Sequence, residues 1–174
     1  MKIEFIKVEV EGFRTIVKPL TFNLQRPGLN MVKGINGAGK TSVFEALIWG
    51  LYGVNLKDVN QAQLVSWPEN RGSQWLGTRV EVSFTVGPTL YKVSRHLSYK
   101  GLTYDVKGED YLMLAKGDGE RQLSEINDYR NKDLTQQAIN QLLGLDVKTF
   151  SNSILFGQRV AKLIQQDNKD KREL

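Results

Sequence analysis

One octet constrains this chain more than any other feature: Gly34-Ile35-Asn36-Gly37-Ala38-Gly39-Lys40-Thr41 satisfies the spacing G-x-x-x-x-G-K-[ST]. Glycines at 34, 37 and 39 permit positive φ angles and a close approach of backbone to ligand. A loop that then opens a helix aims successive N–H groups and the positive end of the helix dipole at a polyphosphate. The flanks predict that context. Leu29-Asn30-Met31-Val32-Lys33 reads as a short buried strand after the turn Arg26-Pro27-Gly28. Phe44, Leu47, Ile48, Leu51 and Tyr52 then recur as one stripe of a helix that stops at Gly53. Strand, Gly-rich loop and helix make the octet a P-loop, so an α/β fold with a bound ATP and Mg²⁺ is expected. Lys40 supplies a point charge to the β- and γ-phosphates, Thr41 a hydroxyl to Mg²⁺, and Ser42 a hydrogen bond on the α-phosphate side. Gly37, Ala38 and Gly39 cradle the phosphates, and Asn36 pins the loop or touches the γ-phosphate.

Around this unit the chain predicts strands first and helices last. Residues 3–10 alternate Ile3, Phe5, Val8, Val10 against Lys2, Glu4, Lys7, Glu9, and Gly12-Phe13-Arg14-Thr15 breaks the pattern. A second strand is expected over Leu20–Leu24. Residues 57–77 read as irregular and surface-exposed. Thr78–Val86, Leu90–Ser98 and Leu102–Val106 read as an antiparallel meander turned at Gly87-Pro88 and Lys100-Gly101, a sheet of a different kind from a parallel core. Leu134–Leu143 is a helix with Asp133 as N-cap and Gly144 as its stop, and Asp146–Phe150 begins another short helix.

Composition narrows the function classes. The 174 residues hold no cysteine, which excludes disulfides, thiolate zinc sites and cysteine nucleophiles. His96 is the single histidine, and its place in Val93-Ser94-Arg95-His96-Leu97-Ser98 reads as strand. Net charge is 24 − 19 = +5, too diffuse for a dedicated nucleic-acid coat: residues 1–60 hold 8 basic and 5 acidic groups, 61–120 hold 7 and 7, 121–174 hold 9 and 7. Lys92, Arg95, Lys100, Lys116 and Arg121 form either a phosphate-tracking stripe on the meander or a solvated face. No stretch approaches ~18 apolar residues, and early acidic residues leave no secretory core, so no membrane partner and a cytosolic or nuclear place are expected.

Binding is not turnover. A P-loop hydrolase needs an apolar strand ending in acidic residues to hold Mg²⁺ and polarise water, and no such run follows Thr41; Glu109-Asp110 is preceded by Asp105-Val106-Lys107-Gly108.

With these residues in view, the chain resembles the amino-terminal ATPase lobe of the SbcC-type and SMC-type coiled-coil ATPases, a branch of the ABC superfamily. Gly12-Phe13-Arg14-Thr15 is similar to that family's opening N-F-R-S motif, Gly34–Ser42 to its G-x-N-G-x-G-K-[ST]-[ST], and Glu45-Ala46-Leu47-Ile48-Trp49-Gly50-Leu51-Tyr52-Gly53 to the E-A-I-x-x-G-L-Y-G of the SbcC branch. Phe150–Gln158 sits where the family has its Q-loop. The resemblance implies a mixed sheet around the P-loop helix plus the meander. Residues 1–159 would form the lobe and 160–174 the start of a coiled coil, cut within a charged helix. It implies that Arg14 approaches the phosphates, that Gln158 links Mg²⁺ and the attacking water to lobe movement, and that Lys57 lies beside the adenosine. The missing acidic strand, signature motif and switch histidine would lie in a carboxy-terminal lobe of the same protein. A second head, an SbcD-type nuclease and double-stranded DNA are the implied partners. An SMC- or RecF-like protein, a small P-loop metabolite kinase and a nucleic-acid module gated by its P-loop are the alternatives.

Overall fold

The computed structural model describes residues 2–25, 32–54, 63–66, 75–100, 110–126 and 131–154, the side chains of Arg121 and of 152–154 excepted. The chain divides into two compact units, Met1–Leu143 and Gly144–Leu174.

The first unit is a six-stranded sheet with helices. Its strands are β1 (Ile3–Glu11), β2 (Leu20–Asn23), β3 (Thr78–Val86), β4 (Thr89–Leu97), β5 (Tyr111–Gly117) and β6 (Ser124–Glu125), in the spatial order β2-β1-β3-β4-β5-β6 with every pairing antiparallel. The α/β class and the meander are as the sequence predicts, but the meander shares one sheet with β1 and β2 instead of forming a second one. Gly87 (φ 59°) supplies the positive φ of the two-residue β3–β4 hairpin.

The register sorts the side chains into rows. Val8, Val82, Val93 and Leu114 lie in line across four strands, as do Val10, Val80, Arg95 and Leu112. Against this side packs α1 (Lys40–Tyr52). Helix and sheet meet closely at Gly50, where a Cβ would lie 2.8 Å from Val80 Cγ1 and 3.0 Å from Val82 Cγ2. The expected single apolar stripe on α1 is an understatement: Val43, Ala46, Leu47, Ile48, Trp49, Leu51 and Tyr52 are all buried, and so are Ser42 and Glu45. Gly53 ends the helix at φ 71°, its N–H bonding Trp49 O at 2.8 Å.

The opposite side of the sheet carries the rows Lys7-Ser83-Lys92-Ala115, Glu9-Glu81-Ser94-Met113 and Glu11-Arg79-His96-Tyr111. Lys92 Nζ lies 2.8 Å from Glu81, Arg79 lies 3.4 Å from Glu11 and 3.7 Å from Glu81, and Lys7 lies 3.2 Å from Glu9 and 2.9 Å from Glu120. Tyr99 folds over this face, donating its hydroxyl to Glu11 at 2.9 Å.

Several expectations are corrected. Lys92 and Arg95 are three apart in a strand and therefore face opposite sides. Arg95 lies over the Trp49 ring and donates to Gly50 O and Gln136 Oε1, while Lys92 is bound to Glu81, so no continuous basic stripe joins them. Residues 32–35 join no strand, and 29–31 lie outside the described residues, as does the expected strand 102–106. The third described meander strand is β5. Residues 63–66 are not a surface loop: Leu64 and Ser66 are fully buried, and Leu64 O and Ser66 N bond Arg14 N and Gly12 O at 2.7 and 2.8 Å. In α2 (Lys132–Leu143), Asn131 rather than Asp133 caps the start, its Oδ1 accepting from Leu134 N at 3.2 Å. Gly144 stops it at φ 63°.

In the second unit, α3 (Val147–Ile154) is capped by Asp146, whose carboxylate accepts from Thr149 N and Oγ1. Those bonds to the charged form hold its pKa below the usual range. The expected boundary at 159/160 lies outside the described residues.

Candidate functional site

The predicted loop sits at the amino-terminal end of α1, whose thirteen residues give it a full dipole and unpaired first-turn N–H groups. Gly37 (φ 86°) and Gly39 (φ 88°) take the left-handed backbone that sharp reversal demands. Ala38 N closes a turn onto Ile35 O at 3.2 Å. Lys40 Nζ bends back over the loop, donating to Gly34 O at 2.7 Å and Ile35 O at 2.8 Å. The ammonium is thus braced above the loop on its own carbonyls, with its remaining proton free to meet an anion. Thr41 is exposed. A Cβ at Gly37 would meet nothing within 4 Å, so the space over the loop is open. The donor set, a cation, a hydroxyl and a helix amino terminus around open space, fits Mg-ATP. Asn36, Gly37, Ala38, Gly39, Lys40, Thr41 and Ser42 follow one another through the loop and the first turn of α1, with Ser42 buried and Thr41 exposed. Lys57 and Gln158 lie outside the described residues.

A second element closes on the loop from the side. Phe13 and Ile16 exchange hydrogen bonds of 2.9 and 2.8 Å, making Arg14 and Thr15 the tip of a two-residue turn. Arg14 takes the positive φ (49°) such a tip requires, uncommon for a residue with a side chain. Gly12 (φ 65°) lets the turn approach: a Cβ there would sit 1.8 Å from Gly77 O. Thr15 Oγ1 lies 3.3 Å from Ser42 Oγ, and a Cβ at Gly39 would come within 2.8 Å of it. Arg14 Nε lies 2.8 Å from Glu45 Oε2, an ion pair without the alignment of a hydrogen bond. The Arg14 and Glu45 side chains are only 14% and 2% exposed. Arg14 is therefore beside the loop and held there by α1.

Sequence reasoning missed Glu45 and Thr15 as parts of this site. One signal was available for Glu45: a carboxylate between Phe44 and Leu47 on a helix otherwise apolar at that level needs a cation. Its identity was not legible, because Arg14 is 31 positions away.

His96 lies far from the loop in role. Buried to 3% exposure, it stacks on Tyr111 and meets the Tyr99 ring at a tilt, both ring centroids 5.2 Å away. Burial pushes its pKa down to about 4; Glu81 opposes that, while Arg79 and Lys92 add to it. It is a core histidine, neutral at physiological pH.

A family model described as an AAA domain (AAA_23) matches residues 7–174. Among curated proteins, the chain is 27% identical over 153 residues, 88% of its length, to a probable DNA double-strand break repair Rad50 ATPase of Aquifex aeolicus, of which it covers 14%. It is 31% identical over 120 residues, 69% of its length, to Arcadin-4 of Pyrobaculum calidifontis, of which it covers 15%. The chain thus spans about a seventh of the length of these relatives. A solved structure described as the structural biochemistry of ATP-driven dimerization and DNA-stimulated activation of SMC ATPases shares the fold. The TM-score is 0.62 at 15% identity, covering 98% of this chain and 96% of that one. Among the described residues no helix is long and apolar enough to cross a membrane.

Proposed function

The chain belongs to the AAA_23 family of AAA domains, as an amino-terminal lobe of the SMC-like ABC ATPase kind, and from that premise we propose that it is the Mg-ATP-binding half of a DNA double-strand-break repair ATPase. The observation that carries this reading is the braced, open loop at the start of α1. Lys40, held over Gly34 O and Ile35 O, takes the β- and γ-phosphates. The backbone of residues 37–39 lines the phosphate path, with Asn36 and Ser42 at its ends. Thr41 is the protein ligand of Mg²⁺, which when bound neutralises charge on the phosphate oxygens. Arg14 adds a second cation at the flank. Gln158 joins metal and attacking water to lobe movement, and Lys57 lies beside the adenosine; both roles rest on the family resemblance.

The sequence holds no acidic strand to complete the site, so turnover requires a carboxy-terminal lobe and a second head closing over the nucleotide. ATP then switches the geometry of an SbcD-type nuclease on DNA inside the cell. DNA as the partner is supported by the Aquifex aeolicus relative, described as a double-strand break repair ATPase, and by the SMC structure, whose activation is described as DNA-stimulated. The sheet's outer face is a poor place for it, since Lys7, Arg79 and Lys92 are already ion-paired there.

The chain alone is expected to bind Mg-ATP weakly and to hydrolyse almost none, and adding the matching carboxy-terminal lobe is expected to restore turnover. Saturable, contaminant-free hydrolysis by residues 1–174 would overturn the half-site reading. In the complete ATPase, Gln158→Ala should leave ADP affinity unchanged and lower hydrolysis and head closure.

A further inference from the structure

We propose that Glu45 is a positioning residue: it holds Arg14 through Nε so that the neighbouring nitrogen, Nη2, keeps a donor for a phosphate oxygen of the nucleotide, an inference that rests on the Mg-ATP reading of the loop. A carboxylate with 2% of its side chain exposed, on a helix packed in apolar neighbours, is costly without a cation. Arg14 provides that cation from a turn whose tip forces it to φ 49°, where glycine or asparagine would sit more easily. Nε faces Glu45 Oε2 at 2.8 Å without the alignment of a hydrogen bond, and Nη2, beside it on the same edge, is buried with no hydrogen-bond partner.

A buried guanidinium N–H without an acceptor is a standing demand for one. The same turn places Thr15 against Ser42 and Gly39, the two residues that flank Lys40 and Thr41. The acceptor that arrives at this spot is phosphate. Arginine suits the task because its nitrogens are fixed in one plane, so anchoring one aims the others. Glu45 thereby ties the β1–β2 turn and α1 to the same ligand.

The test is calorimetric titration of the 174-residue chain with Mg-ATP, with thermal melts of each nucleotide-free variant. Arg14→Lys decides the question: a single ammonium satisfies Glu45 and the fold, but cannot also present a second donor at guanidinium spacing. It is expected to melt with the wild type and bind roughly tenfold or more weakly. Glu45→Gln should weaken binding by a similar factor, and the double variant no further, because both act through one contact. Wild-type affinity in Arg14→Lys, or in a folded Glu45→Gln, would show that the pair is structural only and overturn the inference. Failure of the wild type to bind any Mg-ATP would instead remove the nucleotide reading, and the inference with it.

Discussion

At the phosphate loop, Lys40 is braced on two carbonyls with open space beyond it, and Arg14 turns its Nε to Glu45 while Nη2 has no hydrogen-bond partner. On the outer face of the sheet, Lys92, Arg79, Glu81 and Glu11 are engaged with one another, and Ser94 and Tyr99 donate to the same carboxylates. Burial pushes the Glu81 carboxyl up, but Lys92 and then Arg79 outweigh it and hold its pKa below the usual value. The two regions draw on the same residue types. What separates them is whether the donors are already matched within the protein, so counting cations in the sequence cannot locate an anion site, while asking which cations lack partners can.

Substitutions on the sheet side should therefore alter stability without altering nucleotide affinity, and those at the loop the reverse. The largest effect belongs to the joint between the regions. Gly12→Ala puts a Cβ at 1.8 Å from Gly77 O at φ 65°, and a loss of at least about 4 kcal/mol in a denaturant melt is expected, enough to unfold a marginal lobe.

Next comes acid. In the folded chain His96 stays neutral down to about pH 4, whereas in the unfolded chain it takes its proton near pH 6.5. Between these values the unfolded state binds more protons, so stability falls as pH falls, by up to about 3 kcal/mol. Most of that loss precedes protonation of Glu81, whose depressed pKa adds its own loss only at the acid end. His96→Phe should flatten the melt-versus-pH profile between pH 6.5 and 4.5; an unchanged slope would put the loss elsewhere.

Gly50→Ala sets two effects against each other. The methyl would press on Val80 and Val82, costing about 1–3 kcal/mol, while alanine recovers about 1 kcal/mol of helix propensity. A net loss of about 1 kcal/mol is expected, and a gain in melting temperature would mean that α1 can lift from the sheet. Smallest of all, Lys92→Met should cost under about 1 kcal/mol, because Arg79 and Ser94 still hold Glu81 and methionine keeps the aliphatic packing of the lysine stem, and leave Mg-ATP titrations unchanged.

How much of this was legible follows from what is local in sequence. The octet, α1, β1, β3 and β4 could be read because glycine spacing and period-2 alternation are local signals. β5 could not: Leu112 and Leu114 pack on one side, Tyr111 and Ala115 are buried on the other, and a strand covered on both faces shows no alternation. The buried strut at Leu64–Ser66 bonds to Gly12 and Arg14, some fifty residues earlier, so nothing near it announced the contact. The opposed faces of Lys92 and Arg95 were legible from their odd spacing, which the idea of a single stripe ignored. The partnership of Arg14 with Glu45 needed the fold.

The central claim is that the loop at the start of α1 is a phosphate site whose charge is supplied by Lys40. Its most direct test is calorimetric titration of Mg-ATP into the wild-type chain and into Lys40→Ala, each with a thermal melt. Saturable binding by the wild type, lost or weakened by at least about tenfold in the variant as charge-assisted contacts worth roughly 1.5–3 kcal/mol each disappear, with the melting temperature unchanged, is the predicted result. Equal affinity in the two proteins would contradict it.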